Sequence, residues 1–112
     1  MRELRLQRRL VLEAPARTPD GLGGFTSAWT PLGTLWAEVL PGTPRVQDQP
    51  GATEARLPLR ITLRGAPPGA PSRPRPGQRF RDGARLYPIT HVAEADPQGR
   101  FLLCLASEET AL

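Results

Sequence analysis

The residues able to do chemistry are few and scattered. His91 is the only histidine and Cys104 the only cysteine in 112 residues, so neither a Ser–His–Asp set nor a His-based metal site is apparent. His91 lies in an alternating run and reads as a packed strand residue with its ring edge wet. Cys104, in Phe-Leu-Leu-Cys-Leu-Ala, reads as a buried thiol acting as a small hydrophobe, with nothing nearby to lower its pKa. Gly21, Gly23 and Gly24 superficially match a phosphate-binding loop. Such a loop needs a following Lys-Ser/Thr and a helix, whereas this run enters a strand and the chain contains no lysine. Asp82, Glu94 and Asp96 fall at separate turns, and none has a matching second carboxylate for acid–base work. The expectation is a protein with no catalytic, metal-binding or cofactor-binding residues, and not an enzyme.

Composition supports one domain spanning 1–112, with a single modest core. All 15 basic residues are arginine, which together with 14 Pro and 11 Gly points to coding bias in a GC-rich genome rather than to function. The net charge of +4 raises nucleic-acid binding as a hypothesis, but the surplus is uneven. Arg56, Arg60, Arg64, Arg73, Arg75, Arg79, Arg81 and Arg85 face only Asp82 in their stretch. Beyond it, Arg100 stands against Glu94, Asp96, Glu108 and Glu109. A chain basic in its middle and acidic at its end can contact copies of itself, which ranks ahead of nucleic-acid readout. The start alternates charged and apolar residues, so no signal peptide is expected, and no apolar run approaches the roughly 20 residues of a membrane helix. A lone cysteine cannot form an intrachain disulfide, which fits a reducing compartment.

The elements that would position these residues are strands. Leu4, Leu6, Leu10, Leu12 and Ala14 alternate with Arg5, Gln7, Arg9 and Glu13, with Arg8 and Val11 the exceptions. The Asp20–Gly24 turn leads to a strand pair, Phe25–Thr30 and Leu35–Leu40, broken at Pro31 and Gly33. Leu57, Leu59, Ile61 and Leu63 face one way along a third strand, and Pro58 places the start of that strand at an edge or bulge. Gly77–Asp82, an Asp82-Gly83 turn, Ala84–Ala93, a turn at Asp96–Gly99 and Arg100–Glu108 form a meander. No convincing helix is present. The predicted core is Leu10, Leu12, Trp36, Val39, Leu59, Ile61, Leu63, Ile89, Val92, Leu103 and Leu105. Phe101, Leu102, Leu103, Cys104 and Leu105 supply more hydrophobe than one face of a small barrel uses, so a neighbouring subunit is expected to cover part of this strand.

Two segments stand outside the sheet. Pro41–Thr53 and Gly65–Gly77 are rich in proline, and loops of this length in a compact domain are functional or disordered. Their proline spacing predicts extended, polyproline-like backbone projecting from the barrel. An SH3-type ligand at Pro68–Pro76 is a formal reading only, since such patterns arise freely in proline-rich chains.

A short basic start ending in Arg8-Arg9-Leu10-Val11-Leu12-Glu13 is followed by Asp20-Gly21, Gly23-Gly24 and Trp29. Then come Trp36-Ala37-Glu38-Val39, a polar insertion, Arg60-Ile61-Thr62-Leu63-Arg64, Arg85-Leu86-Tyr87-Pro88-Ile89, Val92 and a final apolar strand. Over nearly the whole chain this arrangement resembles the head–tail joining, or head-closure (stopper), proteins of long-tailed phages and gene transfer agents. The resemblance implies an all-β fold, a small barrel or sandwich, assembling as a ring of six copies. It implies that the ring lies beneath the portal and its adaptor, closes the channel for packaged double-stranded DNA and docks the tail terminator or tail tube. Synthesis would be in the bacterial cytoplasm, with assembly into the particle and no membrane partner.

Within that reading, Arg45, Val46, Gln47, Asp48 and Gln49 form the channel or subunit-contact loop. Arg73, Arg75, Arg79 and Arg81 meet the neighbouring ring, and Leu102, Cys104, Glu108 and Glu109 form the subunit interface. Arg79 or Arg81 would pair with Glu108 or Glu109 of the next copy. A small nucleic-acid-binding barrel is a rival reading, although Phe80 and Tyr87 alone make a poor stacking platform. A tail-terminator ring protein is another, which composition cannot separate from a stopper.

Overall fold

The computed structural model describes residues 3–42 and 54–111. Its six strands are β1 (Arg8–Pro19), β2 (Phe25–Pro41), β3 (Glu54–Arg64), β4 (Arg79–Asp82), β5 (Arg85–Glu94) and β6 (Phe101–Ala111). Every pairing is antiparallel, and the order β1-β2-β3-β6-β5-β4 closes on itself through the β1–β4 ladder. Closure removes the exposed edges that an open sheet of this size would carry. The all-β barrel expected from alternation is therefore present, as is the β4–β5–β6 meander.

Leu10, Leu12, Ala37, Ile61, Leu63, Phe80, Tyr87, Ile89, Leu102, Cys104 and Ala106 fill the interior, with Leu35, Val39, Leu59 and Val92 packed around them. Fully burying a large apolar side chain contributes about 1.5–3 kcal/mol, so Phe80 and Tyr87 carry a large share of the core. Both differ from the predicted core, which omitted them. Trp36, placed inside by the sequence reading, is 56% exposed. The reason is parity: Trp36 and Val39 lie three residues apart on one strand, so they face opposite sides. Ala37 and Leu35 take the inward positions instead.

The same argument corrects β6. Leu102, Cys104 and Ala106 point inward, which leaves Leu105 39% exposed and Leu103 only half-buried. An uninterrupted apolar run carries no alternation, so the run alone could not set the face. Pro58 behaves as its missing N–H requires. The β2–β3 ladder ends at Pro41↔Leu59, and Pro58 contributes only its carbonyl to that side, accepting from Gly42 N–H at 2.9 Å.

β2 runs unbroken where two strands were expected. The β1–β2 register shifts between Leu12 and Glu13, so that Leu32 stands as an extra residue between the pairs Glu13↔Pro31 and Leu12↔Gly33. Gly33, at φ 154°, lies outside the range that most side chains tolerate and absorbs the distortion. The bulge accommodates Pro31 and Gly33 without ending the strand.

The Gly65–Gly77 segment is not an extended polyproline run. It folds into turns, with Ala70 N–H donating to Pro67 O and Arg73 N–H to Ala70 O. Gly65 N–H is tied to Arg100 O and Gly77 N–H to Ile89 O, while Pro74 is fully buried. The Arg73 guanidinium donates back to Ala66 O at 2.9 Å and fixes the loop on itself. The other proline-rich segment falls largely outside the described residues.

Candidate functional site

β4 pairs with β1 only across Val11–Glu13, and β3 pairs with β2 only across Ala37–Pro41. Beyond those limits β1 and β2 have only each other. The six pairs from Ala14↔Thr30 to Pro19↔Phe25 form a two-stranded arm leaving the barrel, roughly 20 Å long at ~3.4 Å per residue. The molecule measures 55 × 37 × 24 Å, elongated as such an arm requires.

The tip of the arm is tightly built. The Asp20 carboxylate accepts from Leu22 N–H at 2.7 Å and from Gly24 N–H at 3.1 Å, and Asp20 N–H donates to Gly24 O. Gly21 and Gly23, at φ 80° and 84°, supply the left-handed turns. This is the structural purpose of the glycines that superficially match a phosphate loop. The turn presents Leu22, 91% exposed, with Phe25 57% exposed beside it.

The arm's outer face alternates aromatic and arginine. Arg17 covers the Phe25 ring at 4.5 Å, and Arg79 of β4 covers Trp29 at 4.0 Å. Arg79 and Arg81 each donate to Glu13, at 2.8 and 2.9 Å. Burial alone would push the Glu13 carboxyl up, but these two hydrogen bonds outweigh it and hold the group below its ordinary value. This clamp sits where the arm departs from the barrel, locking β1 to β4 at the last point they share. Next to Trp29 an open groove of about 480 Å³ runs over Gln78, Ala84, Leu86, Pro88 and Ile89.

A second polar cluster closes one part of the barrel. Arg8 shares the inward register with Leu10 and Leu12, and its guanidinium donates to Asp82 and to Tyr87 Oη. The Arg8 hydrogen bond pulls the Asp82 carboxyl down against the opposing effect of burial. Burial, reinforced by Asp82, pushes the Tyr87 phenol up. The one charged exception in the inward alternation is thus a partly exposed arginine paired with Asp82.

The predicted contact residues separate in space. Arg79 and Arg81 bind Glu13 of their own chain, and Glu108 accepts two hydrogen bonds from Arg85, at 2.7 and 2.8 Å. Arg79, Arg81 and Glu108 thus each have an ion-pair partner within their own chain. Leu102 and Cys104 are corrected from interface to core, because both are fully covered by their own barrel. Burial pushes the Cys104 thiol up to about 12. Arg73 is folded into its loop, and Arg75 remains exposed. Glu109 stands opposite Arg56 in the β3–β6 ladder. Arg45, Val46, Gln47, Asp48 and Gln49 lie outside the described residues. The sequence reading missed the arm. What makes it an arm is where β4 and β3 stop pairing, which the hairpin's own residues do not specify.

A small closed β-barrel with an aromatic arm that no third strand covers, and with Glu13, Asp82, Asp96 and Glu108 each paired to arginine, has the form of an assembly component. Comparison with known families matches residues 1–109 to the phage head completion proteins, and the chain belongs to that family. Its structural role is accordingly in the head–tail connector, at head closure. A solved structure, the virion of a native gene transfer agent particle, contains a chain 45% identical to this one. The two superpose with a TM-score of 0.83 over 98% of this chain and 100% of that one. No curated protein matches.

Proposed function

We propose that this chain forms the ring that closes the DNA channel after packaging and presents the surface onto which the tail docks. Family membership across almost the whole length carries this reading. In it, six copies lie between the adaptor or portal ring on the head side and the tail terminator or tail tube on the tail side. Packaged double-stranded DNA passes through the centre. The protein is made in the bacterial cytoplasm and joins the particle there. The segment around Arg45–Gln49 approaches the channel or a neighbour, and the exposed loop residues, Arg75 among them, approach the adjoining ring.

Phe80 and Tyr87, the pair considered as a stacking platform for nucleic acid, are both fully buried and cannot serve as one. The deciding experiment removes the gene and images the particles. The expected result is heads that have packaged and then lost their DNA, alongside separate tails of normal length. Tails of irregular length would move the protein to the tail terminator's place, and DNA-filled heads bearing tails would overturn the proposal.

A further inference from the structure

We infer that the outer face of the barrel carrying Arg9, Arg60 and Arg64 binds the phosphate backbone of double-stranded DNA. The inference deepens the channel reading and rests on it for the presence of the duplex. These arginines stand out by elimination. Arg8, Arg79, Arg81, Arg85 and Arg100 are held by carboxylates of their own chain. Arg17 covers the Phe25 ring, Arg73 donates to Ala66 O, and Arg5 lies 3.9 Å from Glu3. Among the described side chains, that leaves Arg9, Arg60, Arg64 and Arg75 exposed and without a partner.

All of these but Arg75 share one face. Arg9 pairs with Trp36 across β1 and β2, and Arg64 follows Leu63, the partner of Ala37, so Trp36 stands between two arginines. At ~4.8 Å per strand, Arg9 and Arg64 are about 10 Å apart, and Arg60 lies roughly 13 Å from Arg64 along β3. Leu10, Ile61 and Leu63 face the core, so alternation turns all three arginines outward. Glu38 on the same face is only 7% exposed and accepts from Arg5 N–H.

The occupant follows from the charges that remain. Glu13, Asp82, Asp96 and Glu108 are taken by arginines, and Asp20 is folded into its turn. Among the described side chains, Glu94 is the carboxylate left over, so a second copy offers this face little to bind. The arginines are spread over a convex sheet rather than gathered in a pocket, which suits an extended polyanion and not a single phosphate group. Phosphates flanking the ~12 Å major groove match their spacing of about 10–13 Å. Arginine-to-phosphate contact carries no sequence information, as a channel passing any duplex requires. One copy makes few contacts, and a ring multiplies them along the same duplex.

The test measures binding of the purified protein to a labelled 30-base-pair duplex of mixed sequence by fluorescence anisotropy across salt concentrations. Replacing Arg9, Arg60 and Arg64 together by glutamine should leave the fold intact by circular dichroism and weaken binding at least tenfold. It should also reduce the slope of log K against log salt by about 2–3, at ~0.9 per phosphate contact. Arg17→Gln with Arg100→Gln removes charge elsewhere and should change Kd less than threefold. No duplex binding by wild type at low salt, unchanged binding by the triple variant, or an equal loss in the control overturns the inference. In assembled particles, photoreactive p-benzoylphenylalanine in place of Trp36 should form adducts with DNA. Adducts with another protein instead would assign the face to an acidic protein surface, and that result, or no DNA adduct, also overturns the inference. None of these outcomes touches the ring reading, which falls if wild-type protein is absent from the head–tail junction.

Discussion

Replacing Glu13 by glutamine tests the clamp that holds the arm to the barrel. The carboxylate accepts from Arg79 at 2.8 Å and from Arg81 at 2.9 Å, and its side chain is only 7% exposed. A hydrogen bond to a charged group contributes about 1.5–3 kcal/mol, and truncating a buried pair leaves the other charge uncompensated. Arg81, at 41% side-chain exposure, re-solvates readily, so its bond counts for little once discounted for water. Arg79, at 19%, does not. Glutamine keeps one acceptor but turns a donor toward an arginine. The expected loss is about 2–3 kcal/mol, which lowers a urea midpoint by about 2 M at a slope of ~1–1.5 kcal/mol per M.

The same substitution has a pH signature. The folded-state pKa of Glu13 is held below its unfolded value, so the unfolded chain binds more protons between the two values and stability rises with pH there. The clamp's contribution is fully present above the ordinary glutamate pKa and is lost as pH falls through the lower folded value. Wild type and Glu13→Gln should accordingly converge in acid. A midpoint shift below about 0.3 M at neutral pH, or a difference that persists unchanged in acid, would refute the reasoning.

Two further outcomes follow from the core. Leu102→Asp should yield unfolded or insoluble protein by placing a charge in the interior, as circular dichroism and solubility would reveal; a folded variant would contradict the inward register of β6. Cys104 should resist Ellman's reagent at neutral pH in the native state and react once urea exposes it, because burial both shields the thiol and pushes its pKa to about 12. Rapid native labelling would count against that placement.

What the sequence determined by itself was local. Period-two alternation in Arg8–Ala14 and Leu57–Leu63, the Asp20–Gly24 turn and the Asp82-Gly83 turn specify strands and reversals through backbone sterics and the pleat, which need no distant partner. The alternation read from Leu4 to Gln7, however, precedes β1 and forms no strand. The resemblance carried the functional class on the order of those same motifs. Only the tertiary structure decided which face of Phe101–Leu105 looks inward, because a run without polar residues leaves parity to the strands beside it. It alone paired Arg79 and Arg81 with Glu13 rather than with a neighbour, across 66 and 68 residues of chain. The arm follows the same rule: β1 and β2 become a free ribbon only because β4 stops pairing at Glu13 and β3 ends its ladder at Ala37. Those endpoints belong to other strands, brought alongside by closure of the barrel, and no local pattern in the hairpin encodes them.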